Sequence, residues 1–460
     1  MAGTRQVRHA FTLSAAHPSF GFSWLGSTLS MLGTRTLGVT YPLLAFWLTS
    51  SPTWTAWVMF AATVPALLCY IPAGAIIDRL GRRRVMVWSE LGRAVLIALL
   101  CAGLLTDRLD VGLLLAIAFL EGGLGVLSSV AETALIPATV PKRDVETALA
   151  LHETTVHAVV LTGRPLGGLL YGLGTLVPFV ANALMFAFAA LAVSRSSRGE
   201  RPAEDAAGDE GYAPLTADEP APAPTFLREI GAGLREVRDH PFLRTATLLT
   251  ALINLAVQSL IVVFLSMAAS TGLHPALVGL TLAASGVGGA FGAFISPARK
   301  RISKGIGRRA ARVRLTFLAE WSGLSRKGRS MPLVHVWACA VGLGLVTLFS
   351  EATLAFAVAL LIIGLTGGLS NVTIRTVLSR VPEHLMAKVV SVTRLGSYSS
   401  VALGPLVASV LVASVQVNGA LVIIFLVTCG MAATATLVPK LRRALSPRLL
   451  MYSRVDTERA

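Results

Sequence analysis

Charge is scarce in this chain. Only 14% of its 460 residues are charged while 54% are hydrophobic, against about 25% charged in soluble domains. That shortage argues against a soluble protein of this size, as does a mean hydropathy of +0.70. Acid is scarcer than base, with 24 Asp and Glu against 40 Lys and Arg and a net charge of +16. Such an excess is a nucleic-acid signal where basic residues cluster on one face; here they lie in the gaps between apolar runs, and no nucleic acid is expected. The four cysteines (Cys69, Cys101, Cys339 and Cys429) all sit inside apolar runs without CxxC spacing. They read as small core residues, so neither a disulfide framework nor a metal site is expected. No G-x-x-x-x-G-K-[ST] loop is present, which argues against ATP drive within the chain. No H-E-x-x-H or nucleophile-elbow signature stands out, so the chain does not read as an enzyme and no cofactor is expected. A cleavable signal peptide is not expected either: the first apolar run is long, contains Arg35 and lacks a small-residue cleavage site.

What the chain does have is twelve long apolar stretches. Six lie at roughly 23–49, 54–77, 85–106, 111–137, 145–172 and 174–193, and six more at roughly 242–269, 275–298, 332–350, 352–378, 387–413 and 417–438. Each is near the ~20 residues that cross ~30 Å of hydrocarbon as a helix. Many are apolar on every face, unlike the amphipathic helices of soluble proteins. The expected fold is an all-α integral membrane protein, with twelve transmembrane helices in two six-helix pseudo-repeat bundles.

The basic residues orient it. With the N-terminus inside, inside segments hold 33 of the 40 Lys and Arg residues and the outside loops hold one, Arg108. The other six (Arg35, Arg93, Arg164, Arg244, Arg375 and Arg394) fall within spans. This asymmetry is the positive-inside rule. It predicts a multi-pass protein of the cell membrane with both termini in the cytoplasm.

The longest polar stretch, 194–240, is acidic and rich in Pro and Ala, a composition that does not bury a core. It separates an N-terminal bundle at 1–193 from a C-terminal one at 241–438, with a basic insert at 299–331 and a tail at 439–460. The halves repeat one another weakly. Gly125-Val-Leu-Ser-Ser-Val130 in span four returns as Gly367-Gly-Leu-Ser-Asn-Val372 in span ten, and each is followed by a Val-Pro pair, at Val140-Pro141 and Val381-Pro382. Such repeats are common in secondary transporters, where the substrate site lies between them.

Between spans two and three stands Gly74-Ala-Ile-Ile-Asp78-Arg79-Leu-Gly81-Arg82-Arg83-Arg84. This loop resembles the signature G-x-x-x-D-R-x-G-R-R of the major facilitator superfamily, at the right loop and on the basic side. Gly74 is expected to allow close helix approach. Asp78 is expected to accept hydrogen bonds from a helix N-terminus, that of span eleven being the candidate. The resemblance implies a conformational latch formed by Gly74, Asp78, Arg79, Gly81, Arg82 and Arg83. The loop after span eight is degenerate, with Ser296 at the aspartate position. It runs into the basic insert, which reads as an anchor to anionic lipid headgroups at the cytoplasmic face or as a docking site for a partner.

Span five reads Gly163-Arg164-Pro165-Leu166-Gly167-Gly168, similar to the family's exporter motif G-P-x-x-G-G but with Arg164 at the proline position. Span eleven carries Gly404-Pro405-Leu406-Val407-Ala408-Ser409. Small residues at this spacing let helices pack face to face, so Gly163, Gly167, Gly168, Gly404 and Pro405 form a candidate packing motif. In span one, Leu32-Gly33-Thr34-Arg35 with Tyr41-Pro42-Leu43-Leu44 resembles the macrolide-efflux and enterobactin-exporter-like branch, which commonly has Asp where Thr34 stands.

Ionisable residues inside a membrane are costly and suggest function. Span four carries Glu121 and Glu132, three turns apart on one face with Gly125 and Ser128. The drug-exporter pattern places an arginine where Glu121 stands. Both are candidate proton-coupling groups; alternatively, Glu121 pairs with an arginine or snorkels, and Glu132 forms an interfacial salt bridge. Glu90 and Arg93, at i,i+3, are expected to pair with each other or with the Asp78 loop. Arg35, Asn371 and Arg375 are candidate cavity residues, because the resemblance places spans one, four, seven and ten around the pathway. Asn254 and Gln258 on span seven join them, or serve as helix–helix glue. Arg394, Tyr398, His157 and Arg164 read as structural.

The resemblance implies a secondary exporter of a small molecule, such as a drug, siderophore or other secondary metabolite, working by alternating access and proton antiport as a monomer. Alternatives are an importer or a lysophospholipid-type translocator and, from another class, a transporter-like sensor or membrane enzyme.

Overall fold

The computed structural model describes residues 16–196, 235, 237–238, 241–295, 331–378, 383–439 and 441. Nearly all of the 194–240 linker, the basic insert up to 330, the loop at 296–301, the 379–382 turn and the tail lie outside the described residues, as do the side chains of His157, Arg375 and Arg394.

Among the described residues every regular element is helical. The order is α1 Pro18–Thr49, α2 Pro52–Thr63, α3 Pro65–Leu80, α4 Arg82–Leu105, α5 Val111–Ala138, α6 Val145–Leu173 and α7 Val177–Arg195, then α8 Pro241–Ser270, α9 Pro275–Ile295, α10 Met331–Leu348, α11 Thr353–Leu378 and α12 Glu383–Leu437. Several helices start on a proline, whose missing N–H costs nothing in a first turn. Span two, expected as one helix, is divided at Val64–Pro65 into α2 and α3, where the proline removes a donor from the ladder. Spans eleven and twelve run on as α12 and part at Gln416, which takes φ 62°. With ψ 176° this is a positive-φ conformation almost confined to glycine, costing a glutamine about 1–3 kcal/mol.

Twelve membrane-spanning helices result. Among the described residues nine stretches are apolar and long enough to cross a membrane, and the 43-residue one, Leu395–Leu437, holds two spans. Helices α1 and α6 complete the set. They supply several of the site residues below.

The chain divides into two units, Met1–Pro220 with Leu273–Leu280, and Ala221–Gly272 with Thr281–Ala460. In the first, α1 packs on α7, α6 and α5, and α4 packs on α7 and α5. Leu37, Tyr41, Leu44, Ile97, Leu100, Leu114, Ile117 and Phe179 fill the core away from the arginine-rich loop. In the second, α12 packs along α8 and α10. Glycines bring α9 against α11: a Cβ at Gly288 would lie 2.2 Å from the Leu361 carbonyl oxygen, and one at Gly364 2.1 Å from that of Ser285. Lipid offers no hydrophobic drive between helices, so close backbone approach of this kind supplies the packing.

Candidate functional site

The first unit buries a charged cluster built from three helices. Arg93, on α4, is 1% exposed, Glu90 is fully buried one turn before it, and Glu121 on α5 is 5% exposed. Arg93 Nε and Nη2 both donate to Glu121 Oε1, at 2.9 and 2.6 Å. Its Nη1 donates to Glu90 Oε1 at 3.2 Å and to Ser30 Oγ on α1 at 2.9 Å. Ser30 Oγ in turn donates to Glu90 Oε1 at 2.6 Å, and Ser128 on α5 donates to the same oxygen. The guanidinium also lies 3.8 Å from the ring centre of Phe186 on α7, a cation–π contact.

Glu121 is paired with Arg93, and Glu90 with Arg93 pair with each other as expected. Arg93 Nη2 also donates to Thr34 Oγ1 on α1 at 2.6 Å, so Thr34, Arg93 and Glu121 meet at one guanidinium. The convergence of Thr34, Arg93 and Glu121 was missed in the sequence because the three lie on different helices.

Glu121, Ser128 and Glu132 share the buried face of α5, as the three-turn spacing required. Glu132 Oε1 is 3.5 Å from His152 Nε2 on α6. His152 was not singled out from the sequence; its one signal was an ionisable side chain within a span that also carries Glu153 and His157.

At the arginine-rich loop, Gly81 takes φ +85° at the end of α3, a conformation that favours glycine. Arg83 Nε donates to the Val193 carbonyl at 3.2 Å and its Nη2 to that of Ser194, capping the end of α7. Arg82 Nη1 donates to Ala134 O on α5 at 3.3 Å. Asp78, Arg79 and Arg84 are exposed. A Cβ at Gly74 would meet nothing within 4 Å, so the close approach expected for it does not occur inside this unit, whose neighbouring backbone stands away from it.

The span-five glycines do pack closely. A Cβ at Gly163 would lie 2.4 Å from Arg35 Cβ, and one at Gly167 2.8 Å from the Thr36 carbonyl oxygen. Gly168 is buried. In the second unit, a Cβ at Gly404 would lie 2.6 Å from Gln258 Cβ, and Ser259 Oγ donates to Gly404 O at 3.0 Å. Pro405 follows within α12. Span five thus packs on span one as span eleven packs on span seven, a repeat at the level of packing.

Among the candidate cavity residues, Arg35 and Asn371 are exposed, and Asn254 and Gln258 half-buried. Arg375 lies on α11.

Comparison with solved structures finds the same fold over nearly the whole chain. A POT family transporter in complex with 5-aminolevulinic acid matches at TM-score 0.64 and 12% identity, covering 94% of this chain and 96% of that one. A point mutant of the nucleoside transporter NupG matches at 0.61 and 12%, covering 89% and 98%. A bacterial homologue of the human lysosomal transporter Spinster, inward-facing and unoccupied, matches at 0.59 and 15%, covering 94% and 95%. No curated protein matches by sequence. The sequence model of the Major Facilitator Superfamily matches residues 23–405, from span one into span eleven; the chain belongs to that superfamily and is a multi-pass secondary transporter.

Proposed function

We propose that this transporter exports a small molecule from the cytoplasm by alternating access, driven by proton antiport, with both termini on the cytoplasmic side. The observation that carries the proton drive is the burial of Glu90 and Glu121 around one arginine in the first unit. Two carboxylates against one guanidinium leave the Arg93 cluster one negative charge in excess unless a proton is held. A buried uncompensated charge costs several kcal/mol, so protonation of this cluster is coupled strongly to its surroundings. Glu121, tied to Arg93, is suited to coupling rather than to meeting a cationic solute directly.

Export is supported by the span-five and span-eleven motifs, whose glycines pack against spans one and seven, and by the span-one likeness to the macrolide-efflux and enterobactin-exporter-like branch. The positive-inside asymmetry supports the orientation.

The test is efflux in a drug-sensitive host with a panel of ethidium, erythromycin and a catecholate siderophore. It is followed in proteoliposomes under an imposed pH gradient with the member that the wild type exports. Glu121→Gln is expected to insert normally and lose gradient-driven transport. Unchanged transport in that variant removes Glu121 from coupling, and uptake rather than efflux overturns export.

A further inference from the structure

A second ionisable pair is buried in the first unit, near the end that carries the 142–144 turn. The side chains of Glu132 and His152 are 7% and 15% exposed, with Oε1 and Nε2 3.5 Å apart. Glu132 stands six residues before the end of α5, about 9 Å inside it at 1.5 Å per residue. Four buried atoms in this region have no hydrogen-bond partner among the described residues: Glu132 Oε1, His152 Nδ1, Ser27 Oγ on α1 and Glu90 Oε2 on α4. Leaving such atoms unsatisfied inside a protein is costly. All four belong to groups that accept or pass protons.

Their order along the helices is what connects them. Ser27 and Ser30 share a face of α1 at i,i+3, and Ser128 and Glu132 share a face of α5 at i,i+4. Ser30 and Ser128 both donate to Glu90 Oε1, while Ser27 Oγ stands beside Glu132 without closing a bond to it. The polar strip thus runs from Glu90 past Ser128 and Ser27 to Glu132 and His152. Arg93 closes its inner end, because a guanidinium keeps its proton in proteins. The charged groups acting on the pair are Glu90 and Arg93 from α4 and Glu153 from α6, and α1 faces it with Ser27.

We propose that Glu132 and His152 form the proton-exchange pair through which the transporter passes its coupling proton to the cytoplasm, with Glu90 as the carboxylate that holds it. This rests on the proton-antiport reading above. The proton leaves Glu90 through the serine hydroxyls and forms an O–H bond at Glu132 Oε1. It next protonates neutral His152 at Nε2, restoring the Glu132 carboxylate, and is then released to cytoplasmic water. Glu90 is left as a carboxylate, ready for the next proton, and no other atom or electron is exchanged.

Infrared difference spectroscopy of the full-length protein in phosphatidylcholine vesicles, titrated with pH, tests the pair without a substrate. A carboxylic-acid carbonyl band is expected that disappears in Glu132→Gln. Its midpoint is expected to shift by about one pH unit in His152→Gln, the scale of one close charged partner, and to stay put in Leu149→Ala, an exposed control on the same helix. Should Glu132→Gln fail to insert, His152→Gln decides alone. A midpoint in His152→Gln equal to that of the wild type overturns the proposal, as does a band that survives Glu132→Gln. Transport indifferent to the pH gradient in a wild type whose band titrates as expected overturns the antiport reading instead. Gradient-driven transport with no titrating band overturns the pair alone.

Discussion

Arg93 donates two hydrogen bonds to a single oxygen of Glu121, across 28 residues of sequence and between two neighbouring helices. The same guanidinium reaches Thr34 and Ser30 on a third helix. One arginine therefore ties spans one, three and four together at the centre of the first unit.

Removing that arginine leaves two buried carboxylates without their cation. Arg93→Ala is expected to destabilise the protein by about 3–5 kcal/mol, visible as a lower melting temperature in detergent by size-exclusion thermal challenge. Glu121→Gln keeps an acceptor oxygen for Arg93 and should lose markedly less. Equal losses for the two would mean the pair does not hold the helices.

Packing predictions follow from the glycines. A Cβ at Gly364 would come within 2.1 Å of the Ser285 carbonyl oxygen, whereas one at Gly38 meets nothing within 4 Å. Gly364→Ala should cost about 1–3 kcal/mol through overpacking, and Gly38→Ala should be neutral or stabilising by up to about 1 kcal/mol. Thermal challenge of the two variants side by side checks the contrast.

At the arginine-rich loop the three successive arginines should separate. Arg83 caps the end of α7 through two carbonyls, while Arg84 is exposed. Arg83→Ala is expected to cost about 1.5–3 kcal/mol, the scale of a hydrogen bond by a charged donor, and Arg84→Ala to change stability little. Matched unfolding curves for both variants would show the capping to be immaterial.

Orientation can be read by labelling. Asp107 and Arg84 are exposed at opposite ends of α4 and its flanking loop. In a background with the four native cysteines replaced by alanine, Asp107→Cys should react with an impermeant maleimide on intact cells, and Arg84→Cys only after permeabilisation. The reverse pattern would invert the topology.

Much of this was written in local sequence. The Asp78 loop is a contiguous motif, Glu90 and Arg93 are one turn apart, and Glu121 and Glu132 are three turns apart on one helix. Local spacing fixes which side chains share a helix face, and the structure keeps each of these relations. The break at Pro65 was missed because apolar composition runs straight through it, whereas the gap expected between the last two spans, at 414–416, coincides with the turn at Gln416. The partner of Glu121 was left open because nothing in a span's own sequence says which neighbour its polar face will meet. The same holds for Glu132 with His152 and for Gly163 with Arg35.

The sequence by itself determined that twelve apolar helices cross a membrane, and it offered an orientation, because hydrocarbon thickness and the placement of Lys and Arg act on each segment separately. Only the tertiary structure decided that Thr34, Arg93 and Glu121 converge, and that span five lies glycine to backbone on span one. In lipid, helices choose neighbours by close packing and by satisfying buried polar groups rather than by hiding apolar faces from water. Those terms exist only once several helices stand together.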